Sequence, residues 1–519
     1  MAKAAPMTFN LHERASGILL HPTSLAGPFG NGDLGAGARE FASFLARAGQ
    51  RWWQMLPVGP VGYGNSPYSA HSAFAGSPLL IDLEELVVLG LIRSEALTPP
   101  RLSSAHVDFA SASAFREGVL RRAHAALGKG SLRRALDRFT SREVLWLEDY
   151  ALFMALKRQN GLQQWTRWPQ PLRDRVPGAL QQARSELARE LDFERFCQFL
   201  FARQWTALRT HCRELGVALL GDLPIFVAHD SADVWAHPEL FLLDRTGEPT
   251  HISGVPPDYF SKTGQRWGNP LYRWKVMARD GYAWWTARMA QMLARFDAVR
   301  LDHFIGFVRF WQIAASEPTA IHGAWMKGPG AAFFSALQEQ LGPLPLIAED
   351  LGAVTPEVTA LREAFGFPGL RILQFAFGTD PQAPTFKPHH YPRRTVVYSG
   401  THDNDTVVGW FNDAGGKGAP RSAAQTERER QTARAYLGEG DEPVHWQFIR
   451  EVQKSVADLA IVPMQDVLGL GSEARMNRPG LAEGNWSWRL PRGALSATTA
   501  RRLFNLARTY DRHPPKETR

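Results

Sequence analysis

Ala298-Val299-Arg300-Leu301-Asp302 is a short apolar run carrying one arginine and closed by an aspartate. Its length suits a β-strand, and its near-continuous apolarity suits a parallel strand covered on both faces. Working outward, segments of the same kind occur at residues 17–20, 52–56, 217–220, 344–348, 370–375, 395–398 and 460–464. Most are followed by polar or glycine-rich turns. Helical patterns separate most of them, among them 38–48 before the second segment and 194–215 before the third. This alternation predicts an α/β protein built as a (β/α)₈ TIM barrel, with a mainly helical insertion and long loops over the barrel mouth.

Uneven spacing locates the insertions. About 160 residues (57–216) separate the second and third segments, far more than one crossover helix needs. Within them, 113–127, 131–159 and 179–215 show helical periodicity and abundant Ala, Leu, Arg and Glu. The expected organisation is 1–57 as the first barrel strands and 58–190 as an inserted helical subdomain. Barrel resumes over 191–225, a loop layer rich in Pro, Gly and aromatics covers the active site over 226–281, and 282–519 completes the barrel and tail. Beyond Asp511, Pro514 and Pro515 among charges predict a frayed end.

The chain of 519 residues is 44% hydrophobic and 21% charged, an ordinary globular balance. Its two cysteines, Cys197 and Cys212, cannot form a disulfide framework, so a reducing cytoplasm is the expected location. Residues 1–14 lack the continuous apolar core of a secretory signal. The apolar stretch 79–92 is broken by Asp82, Glu84 and Glu85, and no membrane-spanning segment is expected. A net charge of +8 invites a nucleic-acid reading, but the basic residues are dispersed among acids, as in 184–190. They read as a solvated surface.

In a barrel of this type, catalytic side chains sit at the C-terminal ends of strands. Four acids occupy such places: Asp222, Asp302, Glu349 and, shortly after its strand, Asp403. One such carboxylate is unremarkable, but four around one mouth form a constellation. A retaining glycosidic step needs an ionised carboxylate to attack the anomeric carbon and a protonated carboxyl to protonate the leaving oxygen, roughly 5–5.5 Å apart. Adjacent strands lie about 4.7–4.9 Å apart, so Asp302 and Glu349 on consecutive strands suit that distance. Arg300 shares a strand face with Asp302. A neighbouring guanidinium lowers a carboxylate pKa by about 1–3 units, which favours an ionised nucleophile. The competing reading of that pair alone is a structural ion pair inside the barrel.

Arg300-Leu301-Asp302-His303-Phe304, Ala348-Glu349-Asp350-Leu351-Gly352 and Thr401-His402-Asp403-Asn404-Asp405 resemble the three catalytic signatures of the amylomaltases, the 4-α-glucanotransferase family. The stretches GILLHPTSL (17–25), GYGNSPY (62–68), GDLPIFV (221–227) and WGNPLY (267–272) resemble further family motifs, in the family's order from about residue 15 to 491. The resemblance implies that Asp302 is the nucleophile forming a β-glucosyl enzyme and Glu349 the general acid and base. It implies that Asp403 holds sugar hydroxyls and stabilises the oxocarbenium-like transition state. Arg300, His402 and Asp222 would bind the same sugar. The implied chemistry uses no metal and no cofactor, and the implied partners are α-1,4-glucans, with a monomer or weak homo-oligomer as the assembly.

Transfer in place of hydrolysis needs an acceptor site that competes with water. Aromatic rings suit this, since their faces stack on sugars. Tyr68, Tyr259, Phe260 and Trp267 lie in Gly- and Pro-rich stretches and are the best candidates, although aromatics there also serve as loop anchors. Trp52 and Trp53 lie in a strand and read as packing. Two rivals remain open: an α-glucan hydrolase with the same carboxylates, and a glucan-binding regulator that keeps the barrel without its chemistry. Gly30-Asn31-Gly32-Asp33-Leu34-Gly35 matches G-x-G-x-x-G, yet residues 21–29 part it from the strand and no acid lies near Gln50. It reads as a turn into a helix. His389-His390 and His211-Cys212 lack the spaced partners of a zinc site.

Overall fold

The computed structural model describes residues 9–257, 261–416, 421–438, 440–481 and 483–513. Tyr259, Phe260 and the tail from Pro514 lie outside the described residues. The strands, in chain order, are β1 (Ala15–Leu19), β2 (Trp52–Gln54), β3 (Ala218–Leu223), β4 (His251–Val255), β5 (Gln265–Pro270), β6 (Ala298–Leu301), β7 (Arg309–Ala314), β8 (Ala324–Lys327), β9 (Leu346–Ala348), β10 (Gly369–Ile372), β11 (Thr395–Tyr398) and β12 (Leu459–Pro463).

Eight of them form one parallel sheet in the order β10-β11-β12-β1-β2-β3-β6-β9. Ala348 N donates to Pro368 O at 2.9 Å, joining β9 to the start of β10 and bringing the sheet round into a (β/α)₈ barrel. The eight apolar segments read from sequence correspond to these strands. Residue 373 onward is the exception, because Leu373–Phe377 turns into a 3₁₀ helix where the sequence reading continues the strand to 375. Strands β3 and β6 are buried at every residue, as their near-continuous apolarity requires. Trp52 and Trp53 pack as expected; Phe41 of the helix Ala36–Arg47 meets the Trp53 ring edge-on at 4.9 Å. That helix starts directly after Gly35, so the glycine-rich stretch is the turn into it.

The helices Phe109–Ala125, Ser131–Arg142, Val144–Gln159 and Pro177–Glu186 lie between β2 and β3, and all make contact with the long helix Ala188–Glu214. Asp108 caps the first by accepting from Ser111 N at 3.1 Å, the usual remedy for orphan amides at a helix start. Lys157 Nζ, on the third, pairs with Asp230 Oδ2 at 2.6 Å and ties this layer to the chain beyond β3.

A second sheet, antiparallel in the order β5-β4-β7-β8, closes around its own small core of Ile252, Ile313 and Ala320. The stretch 226–281, expected as loops, therefore contributes two strands as well as loops. HISGV and QRWGNP carry Gly, Pro and polar residues without an alternating apolar pattern, so periodicity gives no strand signal there. Among the described residues, no helix is long and apolar enough to cross a membrane.

Candidate functional site

Strand register sets the site. Asp222 on β3 pairs with Arg300 on β6, and Leu301 pairs with Ala348 on β9. Asp302 and Glu349 therefore stand one residue past the same rung of adjacent strands, at the C-terminal rim. Asp302 N donates to Leu223 O at 3.0 Å and Glu349 N to Leu301 O at 3.1 Å, extending the ladder to that level.

Arg300 sits at the centre. Its Nη1 lies 2.8 and 2.9 Å from the two oxygens of Asp222 and 2.9 Å from Asp302 Oδ1. Burial alone would lower its pKa, but the carboxylates of Asp222 and Asp302 outweigh this and hold it well above the usual value. Asp222 is 1% exposed, while the Asp302 side chain keeps 28% of its surface open to the mouth. One arginine thus serves a buried structural partner and an accessible one.

A second set of contacts starts at Asp222. Tyr68 Oη donates to Asp222 Oδ2 at 2.7 Å and lies 2.9 Å from His402 Nε2. Because the phenol proton is committed to the carboxylate, the tyrosine oxygen accepts, and His402 carries its proton on Nε2. The two rings stack at 5.2 Å, and His402 Nε2 lies 3.4 Å from Asp403 Oδ2. Polar contacts therefore run unbroken from Asp302 through Arg300, Asp222, Tyr68 and His402 to Asp403. Burial, then the charge of Asp222, pushes the Tyr68 hydroxyl pKa well above the ordinary tyrosine value.

Glu349 is environmentally different. Burial pushes its pKa up to about 8, aided by the charge of Asp302 and opposed by Arg300 and by the His303 amide. A carboxyl of this kind holds its proton near neutrality and can give it away. Its Oε2 accepts from His303 N at 2.8 Å and its Oε1 from Leu351 N at 3.2 Å. The site thus holds an arginine-paired aspartate and a buried, proton-holding glutamic acid on neighbouring strands.

Trp267 stands on β5 of the covering sheet, in a strand and not in the loop expected from sequence. It is 38% exposed and meets the His303 ring edge-on at 4.7 Å. Its Nε1 donates to Gln265 Oε1 at 3.1 Å. No position follows for Tyr259 and Phe260, which lie outside the described residues.

Several residues here carry no signal in the sequence reading. Asn477 Nδ2 donates to Asp403 Oδ1 at 2.6 Å, and Arg475 Nη2 donates to Asp403 O at 2.7 Å. Trp486, at φ 65°, lies 5.8 Å from the Tyr68 ring and 6.1 Å from His402. The string RMN at 475–477 is too short to distinguish from any surface loop. Among the described residues, no group of three or more His, Cys, Asp or Glu is arranged to hold a metal ion.

A family model described as 4-alpha-glucanotransferase matches residues 20–496. The 4-alpha-glucanotransferase of Thermus thermophilus is 50% identical over 510 residues, covering 96% of this chain and 99% of that protein. The Synechocystis enzyme of the same description is 46% identical, covering 97% and 99%. Among solved structures, the amylomaltase from Streptococcus agalactiae in complex with acarbose superposes with TM-score 0.91 at 35% identity, covering 96% of this chain and all of that one. The amylomaltase from Corynebacterium glutamicum, 20% identical, shares the fold with TM-score 0.77, covering 97% and 76%.

Proposed function

The chain belongs to the 4-alpha-glucanotransferase family, and we propose that Asp302, Glu349 and Asp403 carry its chemistry. The enzyme moves an α-1,4-glucan segment from a donor chain to the 4-hydroxyl of an acceptor glucan or glucose. In the proposed course, Asp302 attacks the anomeric carbon while Glu349 gives its proton to the departing glycosidic oxygen. A β-glucosyl ester on Asp302 results. Glu349, now a carboxylate, takes the proton of the incoming 4-hydroxyl as that oxygen displaces Asp302. Two inversions leave the α configuration. Asp403, held by Asn477 and His402, faces the positive charge that develops at the ring, and Arg300 and Asp222 fix the floor of the sugar site.

The observation that carries this reading is the contrast between Glu349, held protonated by burial with its pKa pushed up to about 8, and Asp302, paired with Arg300 at 2.9 Å on the next strand. Its test uses Glu349→Gln with α-glucosyl fluoride, whose leaving group needs no acid. A glucosyl adduct on the Asp302 peptide should accumulate, detected by mass spectrometry. Unchanged turnover of maltotriose by this variant would remove Glu349 from its role.

Tyr68 and Trp267 are proposed as sugar-stacking surfaces, with Tyr259 and Phe260 shielding the acceptor side. The acarbose bound by the Streptococcus agalactiae relative supports a glucan-like ligand for this mouth. A cytoplasmic location is supported by Cys197 and Cys212, both buried free thiols. A monomer or weak homo-oligomer is the proposed assembly, which light scattering checks.

A further inference from the structure

His303 follows Asp302 directly and has φ 51° and ψ 52°, the left-handed region that non-glycine residues rarely adopt. Such a conformation persists where the surroundings over-determine it, and it clusters at functional sites. In an extended strand, successive amide N–H groups point to opposite sides. Here they do not. His303 N donates to Glu349 Oε2 at 2.8 Å, and Phe304 N donates to Glu349 O at 3.1 Å. Two successive N–H groups reach one residue across the barrel rim, the first at its side-chain carboxyl and the second at its main-chain carbonyl.

The His303 ring accounts for what fixes the turn. It meets Trp267 edge-on at 4.7 Å. It also packs by Gly306, where an added Cβ would fall 3.1 Å from His303 Cδ2 and 2.7 Å from Ile225 Cδ1. Only a residue without a side chain leaves that slot open. The ring is buried, and its Nε2 has no hydrogen-bond partner. A polar atom left orphaned is not what holds the ring; its packing is.

We infer that His303 is the positioning residue for the acid and base carboxyl: its left-handed backbone brings one amide to the Glu349 carboxyl and the next to the Glu349 main-chain oxygen, and its ring, packed against Trp267 and Gly306, supports that turn. This rests on the reading of Glu349 as acid and base. It also joins β5 of the covering sheet to the reacting carboxyl through one side chain. A sugar stacked on Trp267 would press on the residue that aims Glu349.

The test reads the alkaline limb of kcat/KM on maltotriose, which follows the proton on Glu349. The charged and titratable groups acting on that carboxyl are Arg300 on β6, Asp302 just past it and Asp350 beside it, with the His303 ring next to Asp302. All remain in an ester variant in which the α-hydroxy analogue of histidine at 303 removes the N–H alone. An amide donor favours the carboxylate, so its loss moves the limb to higher pH, by about half a unit to one unit. The ester variant and His303→Val, which resists left-handed backbone, should both show this together with a fall in kcat of about tenfold. Asn and Gly enter that region at little cost. His303→Asn and His303→Gly lose the ring's packing but not access to the left-handed backbone, so their limbs should shift clearly less than that of His303→Val, even where their rates fall. A limb that stays put in the ester variant, or moves equally in all four, overturns the inference. Should His303→Val not fold, the ester and Gly variants decide. Glu349→Gln separates the two readings: full turnover there defeats the acid and base assignment, whereas an inactive Glu349→Gln with unmoved limbs defeats only the role of His303.

Discussion

Arg300 Nη1 lies 2.9 Å from Asp302 Oδ1, and the same nitrogen contacts both oxygens of Asp222. That nitrogen stands at the tip of a rigid planar group, one bond farther along the side chain than a lysine ammonium, so a lysine falls short of the point between the two carboxylates. Arg300→Lys keeps the charge but serves only one partner well. Asp222, buried to 1% exposure, will claim it. The expected result is a kcat loss of about 10²-fold or more on maltotriose, with a lowered melting temperature from imperfect pairing of a buried charge. Wild-type kcat in a folded Arg300→Lys protein would remove Arg300 from the chemistry.

Glu349, with its pKa pushed up to about 8 chiefly by burial, is the proton donor of the proposed first step. The kcat/KM of the free enzyme should hold through neutrality and fall as pH rises through about 8, one proton per molecule. Removing the neighbouring negative charge with Asp302→Asn should lower the Glu349 pKa, since Asp302 is one of the causes of its rise. Side-chain NMR titration of labelled glutamate reads this even though that variant is inactive.

The barrel is legible in the sequence because its strands are covered on both faces, so composition alone marks segments such as Ala298–Leu301. Acids at strand ends are legible for the same reason, being the first polar residues after an apolar run. The covering sheet is not. Its strands are short and unevenly covered, and two of them carry glycine, as in Gln265–Pro270, so no period distinguishes them from loops. Asn477 and Trp486 reach the site from a loop more than seventy positions beyond Asp403. Only three-dimensional proximity identifies them. The left-handed turn at His303 is equally silent, since histidine's enrichment in that region starts from a base of a few per cent and announces no single turn.

Trp267 is 38% exposed at the mouth, and its contact with His303 is edge-on, leaving ring surface for a sugar. Stacking of this kind is worth about 0.5–1.5 kcal/mol. Trp267→Ala should therefore raise the KM for a glucose or maltose acceptor roughly three- to tenfold. The ratio of transfer to hydrolysis should fall with it. Product analysis by chromatography measures both, and an unchanged acceptor KM would reduce Trp267 to a support for His303.

Far from the mouth, Arg512 is fully buried and bonded mainly to carbonyls. It donates to Gln453 O at 2.6 Å, Ala15 O at 2.9 Å, Ala457 O at 2.9 Å and Ser455 O at 3.0 Å. Burial and the nearby charge of Arg14 pull its pKa down to about 9, so it remains a cation at neutral pH. These bonds pin the C-terminal end of the chain to the start of β1 and to the loop entering β12. Arg512→Ala leaves the Ala15 carbonyl without this donor and leaves Gln453, Ser455 and Ala457 to Arg14 alone, at a cost of about 1–3 kcal/mol. The melting temperature should fall by several degrees while kcat at 25 °C is retained. Calorimetry and the maltotriose assay together check this.

Asp82 and Asp33 lie on either side of Gly35, where a Cβ would fall 2.7 Å from Asp82 Cγ and 2.9 Å from Asp33 Oδ1. Arg116 pairs with Asp33 at 3.0 Å, but the closest cation to Asp82 is Arg39 at 3.8 Å. Burial, then the charge of Asp33, pushes the Asp82 pKa from 3.8 to about 6. The folded chain therefore binds this proton more tightly than the unfolded chain. Its contribution to stability is full below about pH 4 and is lost as pH rises through about 6. Asp82→Asn keeps the side chain neutral at every pH, and its oxygen can still accept from Glu84 N, now 2.9 Å from Asp82 Oδ1. Its amide can donate towards Asp33. The variant should melt a few degrees above the parent at pH 7.5, and that advantage should shrink towards pH 5 and vanish near pH 4. Equal differences in melting temperature at all three pH values would mean that the Asp82 carboxyl does not hold its proton in the folded chain.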